Sequence, residues 1–187
     1  MVKRTVYRRT CHAINTPGEA HYLTFSCYKR RDFLARDRTR QYLIEAIEKA
    51  RVTHAFDLWA YVIMSNHAHV FIFPRQEKYD MGAIETSIKV SVSRRALNYL
   101  REHNPGGLRH LATGQVHTPY RFWTSGIGYD KNVTALPATN AIVEYIHNNP
   151  VRAGICANPE DWPWSSAREW MEEGSGTLRI DRESYPY

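Results

Sequence analysis

Residues 58–74 read LWAYVIMSNHAHVFIFP and contain two apolar runs joined by a turn. The first run covers 58–64, Ser65-Asn66 forms the turn, and the second run, 67–73, ends at Pro74. Two short apolar runs across a tight turn predict an antiparallel β-hairpin. Because both faces of the runs are largely apolar, we expect the hairpin at the centre of a sheet.

The patterns on either side of the hairpin predict the rest of the fold. Apolar and polar residues alternate over 21–29, as in a strand with two unlike faces. Apolar residues recur at helical spacing over about 38–52 and 84–100, a short strand is expected within 108–133, and a third helix over about 139–148. The order strand, helix, hairpin, helix, strand predicts an α+β fold. It is a ferredoxin-like antiparallel sheet with two helices on one face.

Charge is unevenly distributed along what we interpret as a single domain, 1–187. Lys and Arg number 25 against 19 Asp and Glu, giving a net charge of +6. A basic lead-in covers 1–20, and an acidic tail covers 169–187 with five acids and two bases, net −3. The remaining 168 residues carry 23 bases and 14 acids, net +9. A basic body of this kind favours a polyanionic partner, because phosphate binding releases counterions.

Other features of the composition argue against several classes of protein. No apolar run approaches the roughly 20 residues of a membrane-spanning helix, and the first residues lack the apolar core of a signal peptide. Cys11, Cys27 and Cys156 are odd in number and without paired spacing, which argues against a disulfide framework and a cysteine zinc site. We therefore expect a cytoplasmic protein, associated with the nucleoid if it binds DNA, and no membrane partner.

His67-Ala68-His69 begins the second strand of the hairpin. Alternation places both imidazoles on one face, roughly 6.6–6.8 Å apart along the strand. Side chains leaning inward across that span can bind one metal ion at about 2.0–2.2 Å. The alternative is that the two histidines are hydrogen-bonded to backbone or water at the end of a hairpin.

The third helix supplies two further candidates, Tyr145 and Asn149, which lie four residues apart and so on one face of the helix or its last turn. Asn149 could complete a metal site, or could simply close the helix before Pro150. Tyr145 would then stand one helical turn from the ion. Its hydroxyl, with a pKa of about 10, needs an activated target to act as a nucleophile. The alternative is a packing role.

Three longer runs carry a resemblance to a known family: 64–70 (MSNHAHV), 145–154 (YIHNNPVRAG) and 161–166 (DWPWSS). The shorter blocks 22–25 (YLTF) and 121–123 (RFW) follow the same order. Together they resemble the REP-associated tyrosine transposases, a branch of the single-tyrosine HUH (His-hydrophobic-His) transposases. The resemblance covers nearly the whole chain.

The resemblance implies a ferredoxin-like or RRM-like fold, a third helix carrying the tyrosine, and an enzyme that nicks single-stranded DNA at hairpin-forming repeats. It implies that His67 and His69 hold Mg²⁺ or Mn²⁺, with Asn149 as the third ligand. It also implies that Tyr145 attacks the phosphodiester, leaving a 5′-phosphotyrosine and a free 3′-OH. Such relatives are monomers or homodimers, and both states stay open here, as does the source of the tyrosine helix, the same chain or a partner.

Several basic clusters are candidates for phosphate contacts, although each is also typical of a solvated surface. In family members the N-terminal segment helps to read bases beside the hairpin, which favours the lead-in. The candidate DNA-binding residues are Arg8, Arg9, Lys29, Arg30, Arg31, Arg121 and Lys131.

Two other functions compete with strand cleavage. An RRM-like module could hold single-stranded nucleic acid without cutting it, but such a module would begin its central strand with a Lys/Arg-Gly-aromatic pattern. This strand begins Asn66-His67-Ala68-His69 instead. A domesticated transposase acting as a DNA-binding regulator is the other alternative.

Overall fold

The structure, a computed structural model, describes residues 14–126 and 128–187. Across these residues no helix combines the length and apolar character needed to cross a membrane. Three short 3₁₀ turns also occur, at Tyr28–Arg30, Pro105–His110 and Pro159–Asp161. In chain order, the strands and helices are β1 (Ala20–Ser26), α1 (Asp37–His54), β2 (Phe56–Ile63), β3 (His67–Pro74), α2 (Met81–His103), β4 (Tyr129–Val133), α3 (Leu136–His147), α4 (Asn149–Arg152) and α5 (Ala167–Met171).

The four strands form one antiparallel sheet in the order β2-β3-β1-β4. The register places His67 opposite Ser26 and His69 opposite Thr24. Helices α1 and α2 cover one face of this sheet, and α3 packs on the other. The predicted α+β architecture, with two helices on one face and a third helix carrying Tyr145, is confirmed.

Alternation along β1 decides which side chains enter the core. Leu23 and Phe25 are fully buried beneath α1 and α2, where they meet apolar residues of both helices, such as Ile47 and Ile88. The intervening residues of β1 face the other side of the sheet. On that side, α3 covers the start of β1 at Ala20. The end of β1, at Thr24 and Ser26, is left open for the site.

The hairpin prediction needs one correction. β3 is central, but β2 lies at an edge of the sheet. All eight residues of β2 are nevertheless buried, because the C-terminal part of the chain bonds to this edge. Ser166 donates its backbone N–H to Tyr61 at 3.0 Å, and Asp181 donates to the carbonyl of Leu58 at 2.9 Å. An edge strand that is covered in this way is as apolar along its length as a central strand, so the two cannot be distinguished by sequence pattern.

Part of the predicted acidic tail is packed against the body of the protein. Glu169 is only 1% exposed, and its carboxylate accepts the backbone N–H groups of Gly174 and Gly176 at 3.0 and 2.8 Å. The Asp181 carboxylate pairs with Arg51 on α1. These acids therefore serve as structural acceptors and are not simply a solvated negative tail.

Candidate active site

His67 and His69 point to the sheet face opposite α1 and α2, because β3 alternates and Ala68 enters the main core. Their ring centroids lie 4.9 Å apart, with the rings inclined at 79°. His67 is half-buried, whereas His69 is only 5% exposed. The two imidazoles therefore converge, in a largely dry setting, as the strand spacing predicts.

Hydrogen bonds to one nitrogen of each ring leave the other nitrogen available. The Nδ1 of His69 lies 2.8 Å from the Tyr22 hydroxyl and 3.0 Å from Thr24 Oγ1. The Nδ1 of His67 lies 2.7 Å from Asn66 Oδ1, an acceptor, so His67 donates there. His69 Nε2 is buried and has no hydrogen-bond partner. When a neighbouring oxygen accepts the Nδ1–H of an imidazole, the Nε2 lone pair is free to bind a metal ion. Metal-binding histidines are oriented in this way.

Burial keeps both imidazoles neutral. It is the main cause of the lowered pKa of His67; the positive charge of Arg30 lowers this pKa further, and contact with the Asn149 side chain opposes the shift. The pKa of His69 is lowered to about 3, by burial first, then by His67 and by Arg30. Neutral imidazoles are the form that binds metal ions.

Tyr145 faces the same site from α3. The buried residues Val143 and Ile146 attach α3 to the sheet, and Tyr145 lies beside them, 39% exposed. Its ring centroid is 5.5 Å from that of His69 and 6.3 Å from that of Tyr22. The phenol and the imidazole pair therefore lie side by side within one chain, and the phenol keeps contact with solvent.

Asn149 reaches the site from a separate helical turn, because α3 ends at His147 and α4 begins at Asn149. Pro150 occupies an early position of α4, where its missing N–H would have had no helical partner. Pro150 thus starts a new turn as well as ending the helix before it. The half-buried Asn149 side chain contacts His67.

The donor set, two imidazole nitrogens and one amide oxygen, could hold a divalent cation and leave positions for further ligands. Across residues 14–126 and 128–187, no three His, Cys, Asp or Glu side chains converge on a common point. The protein ligands would therefore be the two imidazoles and the Asn149 amide, and the remaining positions would be filled by water or substrate oxygens. The buried, unpartnered Nε2 of His69 is the observation that favours such an ion.

A hydrogen bond outside the predicted set holds α3 in place. His147 Nε2 lies 2.9 Å from the hydroxyl of Ser166, which is fully buried and also bonds to the backbone of Tyr61 on β2. Burial lowers the pKa of His147 to about 4, so this ring is neutral. His147 and Ser166 belong to two of the conspicuous sequence runs, but nothing in their spacing indicated that they meet.

The candidate DNA-binding residues Lys29, Arg30 and Arg31 lie after the end of β1 at Ser26, in and beside the Tyr28–Arg30 turn. Lys29 and Arg30 have left-handed backbone angles, φ 56° and 55°, so successive side chains take different directions. Arg30 is near enough to the imidazoles for its positive charge to lower their pKa values. Lys29 lies 5.2 Å from the Tyr28 ring. Arg31 donates to the carbonyl of His110 at 2.6 Å. Only Arg30 of the three is at the site.

The other predicted DNA contacts are scattered. Arg121 has its guanidinium carbon 5.7 Å from the Tyr28 ring centroid, beside the Tyr28–Arg30 turn. Lys131 is exposed on β4, opposite Tyr22 in the sheet register. Arg8 and Arg9 lie outside the described residues.

The structure also brings Arg152 and Tyr22 to the site, neither of which the sequence analysis named as a site residue. The Arg152 guanidinium carbon lies 5.1 Å from the Tyr145 ring centroid. Arg152 is seven residues after Tyr145, about two helical turns, and this spacing could have indicated it. Tyr22 and Thr24 occupy the alternate positions of β1 that pair with the histidine strand, so strand pairing could have found them.

Comparison with known proteins gives two findings of weight. No family model matches the chain. A Haemophilus influenzae protein named "Putative REP-associated tyrosine transposase" is 28% identical over 138 residues, which are 70% of this chain and 73% of that protein. The fold resembles a REP-associated tyrosine transposase solved bound to a REP hairpin, with a TM-score of 0.67 over 94% of this chain and 93% of that one at 18% identity.

A transposase structure from Deinococcus radiodurans is also similar, at 17% identity and a TM-score of 0.45 over 73% of this chain and 95% of that one, too distant to carry weight. The ordered motifs, the Haemophilus relative and the shared fold agree with one another. The chain is therefore similar, in sequence and in fold, to REP-associated tyrosine transposases.

Proposed function

We propose that this protein cleaves and rejoins single-stranded DNA at hairpin-forming repeats, with Tyr145 as the nucleophile. The observation that carries the proposal is the convergence of one partly exposed phenol with two neutral imidazoles, the Tyr145 and His69 rings being 5.5 Å apart. A sheet that only stacked bases would have no need of a buried, unpartnered imidazole nitrogen at this point.

His67, His69 and Asn149 would hold the divalent ion, Mg²⁺ or Mn²⁺. When bound, such an ion polarises a phosphodiester oxygen and offsets the charge that develops during in-line attack. The protein's part is to fix the ligands. Tyr22 and Thr24 hold His69 through its Nδ1, and Asn66 holds His67 in the same way. The orientation of both rings is thus set before any DNA arrives.

Tyr145 would carry out the covalent step. Its oxygen forms a bond to phosphorus as the bond from phosphorus to the 3′ oxygen breaks. The phenolic proton passes to solvent, which this partly exposed residue contacts, and the departing 3′ oxygen takes a proton from solvent. The products are a 5′-phosphotyrosine and a free 3′-OH. Because one phosphoester replaces another, attack by a 3′-OH in the reverse sense rejoins the strand without ATP.

Two arginines support a phosphate at this position. Arg152 lies beside the nucleophile, and Arg30 lies close enough to the imidazoles to lower their pKa values. Guanidinium groups bind phosphate oxygens through paired N–H donors. We infer that the scissile phosphate lies between these two side chains, with Arg30 on the side of the histidines and Arg152 on the side of the tyrosine.

The partner we propose is single-stranded DNA with hairpin-forming repeats, bound in the cytoplasm at the nucleoid. The net charge of +6 and the basic residues at Lys29, Arg121 and Lys131 favour this partner. The similar protein bound to a REP hairpin provides the analogy. Because α3 packs on β2 and β3 of its own chain, we propose an active site completed within one chain, which suits a monomer or a homodimer.

The direct test looks for the covalent intermediate. The protein is incubated with labelled single-stranded hairpin DNA carrying REP-type repeats and with Mn²⁺, and adducts are resolved on a denaturing gel. We expect an adduct with the native protein and none with Tyr145→Phe, with His67→Ala or with a chelator. Tyr187→Phe is the matched control, because Tyr187 is 79% exposed and its ring contacts Trp170 and Tyr185.

An adduct with Tyr145→Phe would show that another residue is the nucleophile. An adduct that persists with chelator would remove the metal ion from the mechanism. Hairpin binding without any adduct would instead favour the regulatory DNA-binding alternative.

A further inference from the structure

A polar cleft of about 300 Å³ opens beside the histidine pair, between β1 and the loop that leads into β4. We call it the β1 cleft. Thr24 and Ser26 line one wall. In the sheet register these residues lie directly opposite His69 and His67. A strand of DNA with a phosphate at the histidines would therefore extend into or past this cleft.

The cleft is lined by positive charge and hydroxyl groups. Arg30 and Lys89 contribute the charge, and Thr124 and Ser125 add hydroxyl groups to those of β1. Among the described residues that line the cleft, none is acidic. Such a lining matches the oxygens of a phosphate and the polar edges of a sugar or base.

Lys89 is held in position with one donor to spare. Its ammonium group donates to the Glu85 carboxylate at 2.8 Å and to the carbonyl of Gly126 at 3.2 Å. An ammonium group has three N–H donors, so one remains for a ligand in the cleft. Glu85, only 2% exposed, lies behind Lys89 and also accepts the backbone N–H of Gly128 at 3.0 Å.

An exposed aromatic ring stands at the rim of the cleft. Tyr129 is 53% exposed and lines the cleft. Its ring meets Tyr22 edge-on, at 5.9 Å and 71°, an arrangement that leaves ring surface uncovered. Bases of single-stranded DNA stack on such surfaces regardless of sequence.

The backbone around the cleft is closely fitted to β1. Gly128 approaches β1 so closely that a Cβ atom there would lie 2.2 Å from the carbonyl oxygen of Thr24. On the loop side, Glu85 accepts the N–H of Gly128 and Lys89 donates to the carbonyl of Gly126, which holds the loop in place. A cleft built in this way needs little reorganisation on binding, which favours affinity.

We propose that the β1 cleft holds one nucleotide of the unpaired strand next to the scissile phosphate, with the base on Tyr129, its phosphate on Lys89, and Arg30 shared between this phosphate and the scissile one. The volume of about 300 Å³ suits one nucleotide and not a longer stretch. The proposal rests on the proposed function, because it assumes that DNA passes the histidine pair.

The test uses mononucleotides, which have no phosphodiester for Tyr145 to cleave. The full-length, metal-free protein is titrated with dAMP, dCMP, dGMP and dTMP, and backbone amide shifts are followed by NMR, with inorganic phosphate as the anion-only comparison. We expect saturable shifts at Ser26 and Gly128. Tyr129→Ala should weaken nucleotide binding about tenfold through lost stacking, whereas Tyr187→Ala should not.

A second variant tests the charge. Arg30→Asn removes the charge, and asparagine tolerates the left-handed backbone at this position. This variant should also weaken nucleotide binding. Arg94→Asn, an exposed arginine on α2 across the sheet, is the control and should bind as the native protein does. Shifts that map elsewhere, or inorganic phosphate binding as tightly as the nucleotides, would overturn the proposal.

Failure of this proposal is distinguishable from failure of the proposed function. Nucleotide binding in the cleft without any DNA adduct would contradict strand cleavage and leave the cleft in place. An adduct with hairpin DNA, together with no mononucleotide shifts at Ser26 or Gly128, would overturn the cleft and leave strand cleavage in place.

Discussion

Replacing Gly128 with alanine tests how closely the β4 loop is fitted to the sheet. The added Cβ would lie 2.2 Å from the Thr24 carbonyl oxygen, whereas real Cβ contacts essentially never fall below 3.0 Å. The loop and strand must therefore separate by at least 0.8 Å. The atom it meets belongs to the backbone of a strand paired on both sides, so β1 cannot move away without disturbing the sheet.

Two costs follow from this separation. Overpacking of a well-packed region costs about 1–3 kcal/mol. The hydrogen bond from the Gly128 N–H to the buried Glu85 carboxylate, 3.0 Å long, would also be stretched, and a buried acceptor deprived of a donor costs about 1–3 kcal/mol. Because relaxation relieves part of each, we expect Gly128→Ala to lower the free energy of unfolding by about 2–4 kcal/mol.

Urea denaturation followed by tryptophan fluorescence measures this change. Gly106→Ala is the matched control, since the nearest atom to its Cβ would be a side-chain oxygen 3.8 Å away, and its effect should stay within about 0.5 kcal/mol. If Gly128→Ala and Gly106→Ala unfold at the same urea concentration, the loop does not sit against β1 as described, and the preformed β1 cleft loses its basis.

Three further predictions concern other parts of the molecule. Tyr22→Phe removes a 2.8 Å contact to His69 Nδ1 but leaves the contact from Thr24 in place. The Mn²⁺ affinity measured by calorimetry should therefore fall about tenfold, the low end of the effect of losing a residue that orients a metal ligand. Unchanged affinity would contradict the assignment of His69 as a ligand. Burial raises the pKa of Cys27 to about 12, so this thiol stays protonated at pH 8 and should be alkylated far more slowly than the partly exposed Cys156, as mass spectrometry of the two peptides would measure; equal rates would refute the burial. Asp181→Ala should cost about 1–3 kcal/mol in urea denaturation, because its carboxylate accepts the N–H of Leu58 at 2.7 Å; a change below 0.5 kcal/mol would mean that this segment does not hold the sheet edge.

The features that could be predicted from the sequence are those set by local periodicity. Alternation in β1 and β3 was enough to place His67 and His69 on one face, because side-chain direction in a strand depends only on position. The helical pattern before Pro150 was enough to identify α3. That Tyr145 on α3 would lie against this face followed from the family resemblance and not from any local pattern.

Features set by long-range contacts could not be predicted in this way. An apolar strand such as β2 is compatible with a central position or with an edge covered by another segment, and only the contacts of Ser166 and Asp181 distinguish the two. Similarly, the run 29–31 has uniform charge, but left-handed backbone at Lys29 and Arg30 sends its side chains in different directions. Backbone conformation of that kind leaves no trace in composition or spacing.

The bond between His147 and Ser166 has a consequence for the order in which the molecule is completed. The helix bearing Tyr145 is tied to residue 166, and the open edge of β2 is closed by residues 166 and 181. The helix and the strand edge are therefore fixed by segments that are made long after β2 and β3. Contacts between residues so far apart in sequence form slowly. A nascent chain acquires its histidine pair early, but its nucleophile and its aggregation-prone edge are secured only after residues 166 and 181 have been made.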